Sequence, residues 1–166
     1  MFLYILLHLE IITNTKNKTM FKAITSNLKG LVADELMSKV GLKDSQVDDV
    51  VNVSAEATKE TFASKLSPSN LGGMMNLFSS KDNNDEANGL QNDLTTNIVS
   101  GLIAKVGLPK PMADMAAKVV VPKIIGLITK KNEETDESDT SGIMGMFGGD
   151  KGGDIGGAVK NLGKFF

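Results

Sequence analysis

Cysteine, tryptophan and arginine are absent from this chain, and one histidine stands among its 166 residues. Without cysteine there is no disulfide frame, no thiol nucleophile and no zinc–thiolate site. A single His8 excludes a multi-histidine metal centre, and no partner places it in a Ser-His-Asp arrangement. The eighteen basic residues are all lysine, and the formal net charge is −2. The forked guanidinium that grips phosphate and guanine is therefore missing, as is a basic stripe interleaved with aromatics. These absences argue against nucleic-acid binding. Aromatics make up only 5% of the chain, so a core would rest on Val, Ile, Leu, Ala and nine Met. Such residues suit closely packed helices, and Met fills irregular gaps without fixing one geometry.

Long apolar runs are also scarce. The first twelve residues, MFLYILLHLEII, are interrupted by His8 and Glu10 and are too short to span a bilayer. No basic residue precedes the run and no small-residue cleavage motif follows it, as a signal peptide would require. Met20 opens MFKAITSNLKGL, which reads as an ordinary start leading into a helix. Residues 1–19 are accordingly expected to be an upstream extension.

What is present is an internal repetition. Leu36-Met-Ser-Lys-Val-Gly-Leu42 matches Leu102-Ile-Ala-Lys-Val-Gly-Leu108, 66 residues further on. Each match is preceded and followed by a helical pattern, then by a short apolar segment ending in Phe78 or Phe147. Gly41 and Gly107 stand where a helix stops in the left-handed conformation that glycine adopts cheaply. Lys39 and Lys105 suit the negative end of a helix dipole. The next helix is expected to start near Asp44-Ser45 in the first copy and within Pro109–Pro111 in the second. The helical spacing predicts one buried face from Val47, Val50, Val51, Ser54, Ala55, Thr58, Phe62 and Leu66. It predicts another from Met112, Met115, Ala116, Val119, Val120, Ile124, Leu127 and Ile128. Pro122 is expected to kink or split its helix by removing a backbone bond.

The fold expected is all-α: a small helical bundle from two tandem helix-turn-helix units with a flexible Gly-rich C-terminal tail. Residues 20–80 form the first unit and 90–131 the second, joined by a polar linker at 81–89. An acidic linker at 132–141 leads to the Met/Phe segment and tail at 142–166. Together the apolar helix, the Lys-Val-Gly-Leu turn, the small-residue helix and Val120-Val121-Pro122-Lys123-Ile124-Ile125 resemble the YidB-like bacterial family, a domain of unknown function. The likeness is best from about Leu90 to the C-terminus, whose Gly-rich, apolar-ended tail is also similar. It implies a bacterial, all-helical protein and supplies no catalytic residues.

No catalytic, cofactor-binding or metal-ligating residue stands out, and no cofactor is expected. Asp82-Asn-Asn-Asp-Glu86 has the alternating oxygens of a calcium loop, but Ala87 replaces the turn glycine and Asp93 the closing glutamate. Asp150 to Asp154 is more degenerate still. The acidic run 133–139 reads as solvated chain, and the glycines at 148–157 follow no phosphate-binding pattern. An enzyme is not expected.

The Met/Phe segments admit two readings: Met74, Met75, Leu77 and Phe78, and likewise Ile143, Met144, Met146 and Phe147, each cap the core of their own unit, or they offer an adaptable contact surface. The function expected is a non-enzymatic, cytoplasmic interaction or self-association module with an unknown protein partner. The alternative is peripheral membrane association through residues 1–12 or an amphipathic C-terminal helix carrying Ile155, Val159, Leu162 and Phe166.

Overall fold

The computed structural model describes residues 22–134 and 141–147. The N-terminal extension with His8, most of the acidic linker, the glycines at 148–157 and the C-terminal helix lie outside the described residues.

Within them the chain forms six helices and no strand. Helix α1 covers residues 22–35 and closes in a wider π-helical turn, Leu36–Val40. Helix α2 is Asp44–Lys65 and α3 is Pro68–Leu77. Helix α4, Asp85–Gly101, closes in a second π-helical turn, Leu102–Val106. Helix α5 is Lys110–Glu133 and α6 is Ser141–Phe147. Helix α4 packs on α2, α3 and α5, and α6 lies against α2.

The two Lys-Val-Gly-Leu turns share one geometry. Gly41 has φ 78° and Gly107 φ 75°, both left-handed. The Leu36 carbonyl accepts the N–H groups of Gly41 and Leu42, the latter at 3.2 Å. Leu102 accepts those of Gly107 and Leu108 in the same way, again at 3.2 Å for the leucine. The widened last turn lets one carbonyl satisfy two donors. It also carries Leu42 and Leu108 back into the core, where both are buried.

Helix starts use different devices. At α2 neither Asp44 nor Ser45 caps; the Gln46 side chain reaches back and accepts the Lys43 N–H at 3.0 Å. Helix α4 opens at Asp85, inside the stretch read as a linker, and Asn84 caps it by accepting the Ala87 N–H at 2.9 Å. Pro111 sits in the first turn of α5, where a missing N–H costs nothing.

Burial repeats at the same spacing as the turns. Ile24, Leu28, Val32 and Leu36 are buried, and so are Leu90, Leu94, Ile98 and Leu102, 66 positions on. The predicted face of α2 is buried in full. Half of the predicted face of α5 is buried, at Ala116, Val120, Ile124 and Ile128, whereas Met115 is 41% exposed and Met112, Val119 and Leu127 are only half-buried. Ala113, Ala117 and Val121 join the core. Beside the two methionines the core takes alanines, because close helix packing selects small residues. Pro122 does not split α5, which runs unbroken through it; the ring lies on the exposed side.

The Met/Phe segments belong to the core. Met74, Leu77, Phe78, Ile143, Met146 and Phe147 are buried, with Met75 and Met144 half-buried. They do not each cap their own unit, however. Phe147 packs on Phe62 and Phe78 of the first unit, with ring centroids 5.2 and 6.0 Å apart, and Phe62 meets Phe78 edge-on at 5.0 Å. Asn132 at the end of α5 donates to the Phe78 carbonyl at 3.2 Å, tying the two units together there.

Gly41→Ala and Gly107→Ala should each cost about 1–2 kcal/mol, the penalty for a left-handed residue with a Cβ. Phe62→Ala should cost about 3–5 kcal/mol, because it empties the centre of the aromatic cluster. Urea titration followed by circular dichroism measures both. A Gly41 variant of wild-type stability would show that the turn tolerates another conformation.

Candidate interaction groove

Two long seams can be compared residue by residue. In the seam between α2 and α4, Lys65 Nζ meets Asp93 Oδ2 at 2.8 Å and Asn97 Nδ2 donates to Thr61 Oγ1 at 2.9 Å. Lys105 Nζ meets Glu56 Oε2 at 2.6 Å, and this hydrogen bond raises the lysine's pKa. Gly101 lies at the crossing, where a Cβ would come within 3.0 Å of Val53 Cγ1. Exposed ion pairs hold helices only weakly, so the close approach at glycine sets the spacing.

The seam between α1 and α5 has none of these links. Positions 66 residues away from the first pair hold Lys131 and Asn27, which lacks the carboxylate. Leu31 and Leu127 replace the Asn97–Thr61 hydrogen bond. Pro122 stands where Glu56 would be, so Lys39 turns to Glu35 on its own helix at 2.8 Å. Glu35 itself occupies the position of Gly101, so a charged side chain stands where the other seam has no Cβ. The Lys39 ammonium, and more weakly that of Lys123 on α5, holds the Glu35 carboxyl below the usual carboxylate range. Lys123 reaches Glu35 across the seam at 3.8 Å.

The result is an open groove. Its main part, about 1140 Å³, is lined by apolar and small residues that include Ile24, Gly30, Leu31, Pro122, Gly126 and Leu127. Beyond Lys123 and Pro122 a second hollow of about 480 Å³ continues past Val40, Met115 and Val119. Leu31 is 48% exposed at the rim. A Cβ on Gly30 or Gly126 would meet no atom within 4 Å. The cleft of the linked α2–α4 seam measures about 490 Å³ and is lined by Thr61, Ser64, Asn97 and Ser100 among others.

The other candidate from the sequence is used structurally. In the calcium-like stretch Asn84 caps α4, its N–H donates to Asn76 Oδ1 at 2.7 Å, and the Asp82 carbonyl accepts from Asn76 Nδ2 at 3.2 Å. Among the described residues no cluster of three or more His, Cys, Asp or Glu side chains is placed to hold a metal. Nor is any helix among them long and apolar enough to cross a membrane. Sequence reasoning missed the groove. Setting the two copies side by side would have revealed it, through the losses of Asp93, Asn97 and Glu56 at Asn27, Leu31 and Pro122.

Substitution at glycines separates the seams. Gly30→Ala and Gly126→Ala should each stabilise by about 0.5–1 kcal/mol, because helix entropy improves and nothing is struck. Gly101→Leu should destabilise by about 1–3 kcal/mol through overpacking against Val53. Thermal unfolding of the variants decides, and equal effects at the three glycines would contradict the difference in spacing.

No family model, no curated protein and no solved structure matches this chain.

Proposed function

We propose that this chain is a non-enzymatic interaction module, made of two tandem helix-turn-helix units, that holds an apolar segment of a protein partner in the α1–α5 groove. The observation that carries this reading is the contrast between the seams: one is closed by polar links and a glycine crossing, and its counterpart is open, apolar and wide. An apolar hollow of that size between helices is a common place for binding. The shared turn geometry and the 66-residue repetition of buried positions support the tandem arrangement. Membership of the YidB-like bacterial family and a cytoplasmic setting belong to the same proposal. The Met/Phe segments are not the contact surface in it, because their burial makes them core.

The groove's concave shape favours an inserted segment over a flat bilayer surface. Because the chain has no cysteine, any introduced cysteine is unique. Leu31→Cys at the groove and Ser100→Cys at the linked seam can each carry a photoactivatable benzophenone. Irradiation in an extract of the native host should give a discrete adduct with another polypeptide from Leu31→Cys and none from Ser100→Cys. Equal yields from both positions, or no adduct from either, would refute the reading.

A further inference from the structure

Charge along the groove narrows what it accepts. We infer that the occupant is an amphipathic helix whose polar face is acidic, a conclusion that rests on the docking role proposed above. The walls carry Lys39, Lys118, Lys123, Lys130 and Lys131 against Glu35 and Glu134. Both carboxylates are already engaged, Glu35 by Lys39 at 2.8 Å and Glu134 by Lys131 at 2.7 Å. Five lysines thus line the walls against two carboxylates, and the excess lies on the α5 wall at Lys118 and Lys130, with Lys123 sharing Glu35 at 3.8 Å, in a chain whose net charge is −2. The linked seam has no such excess, since Lys65 and Lys105 meet Asp93 and Glu56 there.

Shape fits the same occupant. From Met115 to Glu134 the α5 wall runs about 29 Å at 1.5 Å per residue, the length of a helix of about five turns. Gly30 and Gly126 both line the hollow without a Cβ, which lets another helix approach both walls closely. Its apolar stripe would lie on Leu31, Leu127 and Met115, while acidic residues at its edges would face the lysines. Helix-in-groove recognition of this kind uses anchors at positions i, i+3, i+4 and i+7.

Two fluorescein-labelled 18-residue peptides test this against the full-length protein by fluorescence anisotropy. Both carry the same Leu/Met stripe; one has glutamate and the other lysine on its polar face. The acidic peptide should bind on the order of tenfold more tightly, and the advantage should shrink as salt is raised. Lys118→Glu with Lys130→Glu should reverse the preference. Gly126→Leu, whose Cβ meets no atom within 4 Å and whose side chain would occupy the hollow, should weaken the acidic peptide while the protein stays folded. Equal binding of the two peptides, or tighter binding of the basic one, overturns the acidic occupant and leaves the groove itself standing.

If neither peptide binds while the Leu31→Cys adduct forms, the occupant is wrong and the docking role survives. If the adduct fails as well, both fall. Two further outcomes also overturn the acidic helix. One is flotation with phosphatidylcholine–phosphatidylglycerol vesicles that Gly126→Leu abolishes, which would assign the groove to a lipid surface. The other is an intramolecular adduct from Leu31→Cys to residues 1–20 or 148–166, which would make the chain its own ligand.

Discussion

How near two helices can run is decided by the side chains at their crossing, and in this protein that constraint shapes everything outside the core. At Gly101 the absence of a Cβ brings α4 down onto Val53 of α2, and lysine–carboxylate and amide–hydroxyl pairs then face one another across a narrow seam. The position 66 residues earlier, on α1, is Glu35, whose charged side chain stays partly in water and meets Lys123 of α5 at 3.8 Å. One seam is thus shut and the other open. The hydrophobic interior does not need the difference, because Leu28 and Leu94, or Val32 and Ile98, are equally buried on the two sides.

Much of the fold was legible from residues close in sequence. Gly41 and Gly107 mark their turns by a backbone conformation that only glycine takes readily, and the stripe from Val47 to Leu66 declares its helix face through simple periodicity. Failure began where neighbours in space decide. On α5 the side chains Met112 and Met115 look like core by size, yet Ala113 and Ala117 are buried in their stead on a helix packed against α4 and α2. Phe147 was expected to cap its own unit and crosses to Phe62 and Phe78, a choice that no local pattern encodes. The groove lay further out of reach, since it consists of missing partners: Asn27 for Asp93, Leu31 for Asn97, Pro122 for Glu56.

The composition acquires a structural meaning in this light. A core poor in aromatic residues gathers Phe62, Phe78 and Phe147 at one end, where α3 and α6 close the bundle. Elsewhere it depends on Leu, Ile, Val and Ala, whose shapes allow α4 to contact α2, α3 and α5 together. The Ser54 hydroxyl is buried without a hydrogen-bond partner, at the position where α5 carries Val120. Polar groups left bare in this way cost stability, so α2 gives up some of what the linked seam contributes.

The open α1–α5 seam has a thermodynamic consequence. Local opening costs less than global unfolding wherever contacts are sparse, and few polar links cross this seam, while Ile24, Leu28 and Val32 seat α1 in the core and Lys29 meets Asp48 of α2 at 2.7 Å. Anything that bridges α1 and α5 would then favour the closed form by mass action, raising the apparent stability of α1 with the logarithm of one plus its concentration over its dissociation constant. Amide exchange along α1 would slow as the groove fills, and exchange along α4 would hardly change. An occupant of the open face would thereby set how firmly α1 is ordered.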